Sequence, residues 1–234
     1  FNSRNELRVY ADAYAKKPFD LNGELCELTP VVLPEYSGIL IKMHHIISDV
    51  WTCGMVASQF KLLVNGTMPV AYSYVDYLNT EDEYQNSKRY EKDKEYFSSI
   101  IKACCEPVYL STKKDVSFDA RRASFSVEQT SLLKKFAESL NTSVFVVLMT
   151  LVALYISRIR ENATEFFIGT TVLNRSGEKE KNKMGMYVNT VPVAVKLSYN
   201  FTVCDCIKAI EAEALSVLRH QKFNYTDILT DSKI

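Results

Sequence analysis

The stretch that decides the fold runs from Ile39 to Trp51 and reads ILIKMHHIISDVW. An apolar run ends in two adjacent histidines, and Asp49 follows four residues after the second. Side chains alternate along a strand, so a continued strand would point Lys42 and His44 one way and His45 the other. We therefore expect the two histidines to do different jobs, one facing a cavity and one holding the loop.

Strands and helices are interleaved on both sides of this stretch, which predicts a mixed α/β fold. Residues 26–33 and 39–43 are predicted to form a hairpin, and residues 51–64 a helix that ends at Asn65-Gly66. The further predicted elements are a strand over 116–125, a buried helix over 143–159 that is hydrophobic almost all round, a strand over 186–197 interrupted by Pro192, and a helix over 202–220.

Composition narrows the class of protein. The 28 basic and 28 acidic residues balance, so nothing predicts a nucleic acid or membrane partner. The longest apolar run, 144–156, is too short to span a bilayer. The six cysteines show no C-x-x-C and no metal-type spacing, which predicts reduced thiols in a cytoplasmic protein. Since the chain starts at Phe1 without an initiator Met, we expect it to be a piece of something longer.

The residues alone leave three interpretations of the histidine pair open. It can be a structural pair at a strand end, satisfied by the neighbouring loop. It can be a metal site with His45 and Asp49 as ligands, but the one remaining histidine, His220, comes with no matching carboxylate, so metal ranks lower. It can also be a general base, His45, on a loop fixed by Asp49. Asp49 then needs a partner, because an unpaired buried carboxylate is costly.

Several stretches, in order, resemble the condensation domains of nonribosomal peptide synthetases. His44 to Val50 is similar to their H-H-x-x-x-D-G motif. The resemblance extends over the whole chain through PFDL (18–21), YVDY (74–77), EYF (95–97), IGTTVLNR (168–175), MGMYVNTVP (184–192), and RHQ (219–221) with YTDIL (225–229).

The resemblance implies a two-lobed fold like that of chloramphenicol acetyltransferase, with a tunnel between the lobes. We expect residues 1–112 to be the later part of the N-terminal lobe, and residues 113–234 to be the first part of the C-terminal lobe. His45 would be the catalytic histidine and His44 structural, while Asp49 would pair with Arg175 across the lobes. Val50, Trp51 and Asn189 would be motif neighbours, and no metal is expected.

The implied reaction is amide bond formation between two substrates on 4'-phosphopantetheine arms. The implied partners are peptidyl carrier domains and the adjacent adenylation domain of the same assembly line, and the domain itself binds no cofactor. A free α-amine titrates at roughly 7.7–8.0, so part of it is already neutral near pH 7. His45 is therefore expected to accept a proton during attack or to orient the amine.

The chain departs from the family pattern in two ways. Val50 stands where the family has glycine, which permits positive φ and close backbone approach. We therefore expect the turn to be built differently, or the backbone amide near the thioester carbonyl to be less available. The family's opening strand and helix, and its closing D-F-G-W region and lobe-bridging segments, have no counterpart, so the fold is expected to be incomplete at both ends.

Two other functions stay open beside the condensation reaction. One is a freestanding acyltransferase of the same fold that uses coenzyme A or a carrier. The other is a degenerate domain that binds carriers without chemistry. Within the condensation family the heterocyclisation subtype is disfavoured, because its aspartate-rich motif is absent. The epimerisation subtype keeps both histidines, so the motif does not separate it from a condensing domain.

Overall fold

A computed structural model describes residues 1–70, 73–103, 122–175 and 177–232 of the chain. Within this part, helices and strands are interleaved in the order α1 (Arg4–Lys16), β1 (Cys26–Val32), β2 (Ser37–Met43), α2 (Val50–Val64), α3 (Val75–Gln85), α4 (Lys88–Ala103), α5 (Val127–Ser139), α6 (Val144–Ile159), β3 (Glu165–Val172), α7 (Glu178–Lys181), β4 (Asn189–Lys196), α8 (Val203–Arg219) and α9 (Tyr225–Ser232).

These elements form two compact units. The first contains Phe1–Asp82 together with Arg175–Val188, and the second contains Glu83–Asn174 and Asn189–Ile234. The segment 175–188 therefore belongs to the same unit as the histidine motif, although it lies far along the chain. The predicted lobe boundary at residues 112 and 113 lies outside the described residues and stays a prediction.

The first unit is built around the predicted hairpin. β1 and β2 pair antiparallel, with Cys26 opposite Met43 and Val32 opposite Ser37. Helix α2 begins directly after the motif, because Asp49 has extended backbone and its side chain accepts a hydrogen bond from the Thr52 N–H. Such an N-cap satisfies one of the free donors at a helix start. The motif loop is thus held between the end of β2 and the start of α2.

The second unit contains the apolar core. β3 and β4 pair antiparallel, with Gly169 opposite Pro192. Helices α6 and α8 contribute residues to the same core cluster as these strands. Two capping boxes fix helix starts in this unit, from Ser126 to Gln129 on α5 and from Thr202 to Asp205 on α8. The largest fully buried apolar side chains all belong to this unit, and they are Phe97, Phe166, Phe223, Ile210, Val191, Val193, Val195 and Val217.

At three elements the structure and the prediction overlap only in part. Helix α6 has the predicted position, but it is buried on one face only, since Phe145 and Tyr155 are 49% and 66% exposed. Strand β4 begins at Asn189 instead of residue 186 and continues through Pro192. Of the strand predicted over 116–125, residues 116–121 lie outside the described residues, and residues 122–125 are not in a strand.

No single helix in the described ranges is both long and apolar enough to cross a membrane. Helices α5 and α6 meet the length and composition only as a pair, and the pair is bent by 96° at its break.

Candidate active site

The two histidines differ in burial and in bonding. His44 is half-buried, and its Nδ1 accepts a hydrogen bond from the Ile46 N–H at 3.0 Å. Its backbone N–H donates to the Leu25 carbonyl at 2.9 Å, and its carbonyl accepts from the Ser48 hydroxyl at 3.1 Å. An Nδ1 that accepts cannot carry a proton, so a neutral His44 has its hydrogen on Nε2. These bonds fix His44 in the loop.

His45 is exposed. Its imidazole forms no hydrogen bond with any residue of the described ranges, whereas its backbone carbonyl accepts from the Ser48 N–H at 3.4 Å. The ring is therefore presented on a fixed loop with both nitrogens available to a ligand.

Asp49 and Arg175 form a buried ion pair inside the first unit. Both side chains are 0% exposed, and Arg175 Nη2 lies 3.0 Å from Asp49 Oδ2 and 3.2 Å from Oδ1. The same carboxylate accepts from the Thr52 N–H at 2.7 Å and from the Tyr187 N–H at 3.1 Å. The structure thus supplies the partner that the buried carboxylate needs.

Arg175 is bound on several sides. Its Nη1 donates to the carbonyls of Glu180 and Lys183, and its Nη2 donates to the Gly185 carbonyl at 3.1 Å. The guanidinium carbon lies 3.9 Å from the centre of the Tyr187 ring, which is a cation–π distance. We call Asp49, Thr52, Arg175, Gly185 and Tyr187 the Asp49 cluster.

These contacts set the ionisation of two groups in the Asp49 cluster. Burial by itself raises the pKa of the Asp49 carboxyl, but the hydrogen bonds from Thr52, Tyr187 and Arg175 outweigh it and hold the pKa below its ordinary value. Burial raises the pKa of Tyr187 to about 12, although the nearby Arg175 charge opposes the shift. Asp49 is therefore ionised and Tyr187 is neutral near pH 7.

Gly185 occupies a position that another residue would strain. Its φ is +150°, and a Cβ built there would overlap the Tyr74 ring. Tyr74 and Tyr77 pack on Tyr187, with ring centres 5.7 and 4.2 Å away. The aromatic rings close one side of the Asp49 cluster.

Val50 is the first residue of α2, and its side chain is 84% exposed. It is not among the described residues with positive φ, so the backbone at this position does not require glycine. The turn after Asp49 is an ordinary N-capped helix start. Trp51 follows, and its Nε1–H donates to the Lys181 carbonyl at 2.8 Å.

Asn189 lies in the second unit and holds a turn there. Its amide Nδ2 donates to the carbonyls of Gln221 and Phe223 at 2.9 and 2.7 Å. Its Oδ1 accepts from the Tyr225 N–H at 3.3 Å. These three bonds tie the start of β4 to the segment after α8 and to the first residue of α9.

An open cavity of about 660 Å³ lies beside the motif loop, and both histidines contribute to its lining. Lys42 also lines it, with its Nζ 4.0 Å from the centre of the Phe19 ring and 3.8 Å from Glu27 Oε1. The Phe19 ring meets His44 edge-on at 5.7 Å. A cation, an aromatic ring and the bonded histidine thus form one packed row.

Within the described ranges, no further ligands join His45 and Asp49 to support a metal site. Among the described residues, no three His, Cys, Asp or Glu side chains are grouped as a metal ion would need. His220 belongs to the second unit, where its Nδ1 lies 2.7 Å from Asp93 Oδ1 and its ring stacks on Tyr96 at 4.0 Å.

Sequence reasoning missed three members of the Asp49 cluster. Thr52 stands three residues after an aspartate that precedes an apolar helix, which is a helix N-terminus signal. That signal could have identified Asp49 as the N-cap, but it gives no hint that the Thr52 hydroxyl contacts Gly185. Gly185 and Tyr187 belong to the MGMYVNTVP stretch (184–192), but nothing in the sequence indicates that they contact Asp49 or its partners.

Comparison with known proteins identifies the family. The model of the family described as "Condensation domain" matches residues 3–234. Among curated relatives, surfactin synthase subunit 1 of Bacillus subtilis (strain 168) is 29% identical over 200 residues, which is 81% of this chain and 6% of that protein. Bacitracin synthase 3 of Bacillus licheniformis is 25% identical over 225 residues, covering 91% of this chain and 4% of that protein.

Solved structures agree on the fold. The first condensation domain of the calcium-dependent antibiotic synthetase, in complex with a substrate analogue, superposes with a TM-score of 0.82 at 21% identity, covering 98% of this chain and 54% of that one. The condensation domain of the monacolin K polyketide synthase MokA gives a TM-score of 0.85 at 13% identity, covering 100% and 57%. The predicted chloramphenicol acetyltransferase-like fold is thereby confirmed. The chain spans about half the length of these solved chains, and it belongs to the condensation domain family.

Proposed function

We propose that this chain forms part of a condensation domain of a nonribosomal peptide synthetase. The proposed reaction joins an acyl or peptidyl thioester donor to an aminoacyl acceptor, each carried on the 4'-phosphopantetheine arm of a peptidyl carrier domain. The adjacent adenylation domain would load the acceptor. The observation that carries the proposal is the motif loop, in which His45 is exposed while His44 and Asp49 are bound in place.

In this reaction the acceptor amine attacks the donor thioester carbonyl. A C–N bond forms, the C–S bond breaks, and the donor thiol leaves. The amine nitrogen must lose a proton. His45 is the group proposed to accept this proton or to orient the amine for attack. General-base help contributes roughly 10²–10⁴-fold, whereas positioning of the reactants can supply roughly 7–11 kcal/mol. We therefore assign most of the rate to positioning, with His45 as the proposed catalytic residue.

The contacts around His45 support a catalytic role for His45 and a structural role for its neighbours. Asp49 is saturated by Thr52, Tyr187 and Arg175, so its carboxylate holds the loop and is not aimed at the His45 ring. We therefore propose that Asp49 and Arg175 are architectural and that His44 is structural. The side chains of Trp51 and Asn189 each donate a hydrogen bond to a backbone carbonyl, of Lys181 and Phe223 respectively. These bonds support a structural role for both residues as neighbours of the motif.

A carrier-binding domain without chemistry is the second candidate, and Val50 is the observation that favours it. Its exposed side chain adds bulk beside the loop where the family motif has glycine. The helical backbone at Val50 argues against a distorted turn, so any effect of Val50 must come from its methyl groups.

The test measures amide formation between the substrates on two loaded carrier proteins. The protein is used together with the synthetase segments that are encoded with it. Wild type, His45→Ala and Val50→Gly are compared by mass spectrometry of the carrier-bound product. Product from wild type that is lost in His45→Ala supports condensation. A silent wild type that Val50→Gly activates supports the carrier-binding function. Undiminished product in His45→Ala contradicts the proposed role of His45 for that substrate pair.

A further inference from the structure

The Thr52 hydroxyl is the most fully bonded side-chain oxygen in the Asp49 cluster. Thr52 is 2% exposed, and its Oγ1 donates to the Gly185 carbonyl at 2.7 Å. The same oxygen accepts from the Gly185 N–H at 3.0 Å and from Arg175 Nη2 at 3.2 Å. A hydroxyl has one donor and two acceptor sites, so every site is used.

These bonds connect two distant parts of the chain at one residue. Thr52 is 133 residues before Gly185 and lies in the first turn of α2, three residues after Asp49. The Tyr74 ring occupies the space that a Cβ at Gly185 would need, so this segment packs closely against the ring. The hydroxyl therefore sets the distance between the start of α2 and the segment 183–187.

The same hydroxyl also shares Arg175 with the carboxylate. Nη2 reaches Asp49 Oδ2 at 3.0 Å and Thr52 Oγ1 at 3.2 Å. Without the hydroxyl, the Gly185 N–H would lose its acceptor in a buried place, and unpaired buried polar groups are costly. The least costly response is a shift of α2, whose N-cap is Asp49, or of the 183–187 backbone, whose Tyr187 N–H binds the Asp49 carboxylate. Either shift changes how Asp49 is held at the end of the motif loop.

We infer that Thr52 is a positioning residue of the condensation reaction: its hydroxyl holds Gly185 and Arg175 against the first turn of α2 and thereby fixes the loop that presents His45. The inference rests on the proposed function. It assigns to Thr52 an effect on turnover that is separate from the roles of His45 and Asp49.

The test compares Thr52→Val, Thr52→Ser and Thr80→Val in the carrier-to-carrier assay, well below the melting temperature of each variant. Valine keeps the shape of Thr52 and removes its hydroxyl, and serine keeps the hydroxyl. Thr80→Val is the matched control, because Thr80 is exposed and its hydroxyl donates only within α3, to the Asp76 carbonyl. Hydrogen exchange of the peptide that contains Gly185 is followed in parallel.

We expect Thr52→Val to lower kcat by roughly 10- to 100-fold with little change in KM, since a shift of about 1 Å at a reacting group can cost on the order of 10²-fold. Thr52→Ser should restore most of the rate, and exchange at Gly185 should speed up only in Thr52→Val. Equal kcat in Thr52→Val and Thr80→Val, or no restoration by serine, overturns the inference. A wild type that makes no product overturns the proposed function instead, and the exchange data then show whether the Thr52 contact exists.

Discussion

At the scale of single residues, the Asp49 cluster contains both a contact that the sequence predicted and contacts that it did not. The family resemblance pairs Asp49 with Arg175 across the lobes, whereas the structure joins the two residues inside the first unit, with both side chains fully buried. Thr52 and Gly185 could not be predicted in the same way. Their contact is between a hydroxyl and a backbone 133 residues away, and no local pattern encodes such a contact.

Removing the charge of Asp49 should destabilise the protein strongly. Asp49→Asn leaves the Arg175 guanidinium buried without its counter-charge, and breaking a buried pair in this way costs about 3–5 kcal/mol. Urea denaturation with a probe in the first unit measures the loss of unfolding free energy. Asp12→Asn is the control, since Asp12 is exposed on α1 and should change stability by about 0.5 kcal/mol or less. Equal losses in both variants would contradict the structural role of the ion pair.

The same carboxylate predicts a pH dependence. Because the folded pKa of Asp49 is lowered, its contribution to stability is present above its unfolded pKa, about 3.9, and is lost as pH falls through the folded value. The difference in unfolding free energy between wild type and Asp49→Asn should therefore be constant above pH about 4 and shrink below it. Denaturant midpoints of both proteins between acid and neutral pH give this difference, and a gap that widens in acid would show the sign to be wrong.

Gly185 should not tolerate alanine. The positive φ costs a non-glycine residue about 1–3 kcal/mol, and the contact with Tyr74 adds to it. Gly54→Ala is the control, because a Cβ at Gly54 meets nothing within 4 Å and lies inside α2, where alanine should stabilise by about 0.5–1 kcal/mol. Thermal melting of the two variants should therefore shift in opposite directions.

At the scale of elements, hydrophobic periodicity located most of the helices and the hairpin, and structure and prediction differ where tertiary packing decides. The sequence predicts a buried helix over 143–159, because the segment is hydrophobic almost all round. The structure buries Val146, Met149 and Ala153 on one face and leaves Leu151 and Tyr155 exposed on the other. Periodicity shows that a face is apolar, but it does not show what covers it.

The two faces of α6 should respond differently to truncation. Met149 is 6% exposed in the core, so Met149→Ala should cost about 2–5 kcal/mol by leaving a cavity. Leu151 is 51% exposed, and Leu151→Ala should change stability by about 0.5 kcal/mol or less. Chemical denaturation of the chain measures both. A large loss in Leu151→Ala would mean that this face is covered in solution.

At the scale of the whole molecule, the two units are stabilised in different ways. The buried apolar cluster lies entirely within the second unit, from Phe97 to Ile228. The first unit buries few apolar side chains among its described residues, namely Val31, Leu33 and Tyr187, and it also buries the charged pair of the Asp49 cluster. Family resemblance predicted two lobes. The membership of segment 175–188 in the first unit depends on long-range contacts that the chain order conceals.

This difference predicts uneven protection in native-state hydrogen exchange. Amides of β3 and β4 should exchange much more slowly than those of β1 and β2. The reason is that the free energy of local opening rises with the number of buried apolar contacts, and these surround β3 and β4. Rising denaturant should expose the β1–β2 hairpin first. In Asp49→Asn, exchange should accelerate in the first unit and stay unchanged in β3 and β4. Uniform protection of both strand pairs would contradict this account of the two units.

The distance along the chain between Asp49 and Arg175 also matters while the protein is being made. The two residues are 126 positions apart. At a synthesis rate of about 5–20 residues per second, the ribosome needs roughly 6–25 seconds to add Arg175 after Asp49. During that interval Asp49 is already in the chain, but its counter-ion Arg175 has not yet been added. Slow translation before residue 175 would lengthen the time that Asp49 spends without its counter-ion. A chaperone that binds nascent chains would bind the segment that contains Asp49 during this time.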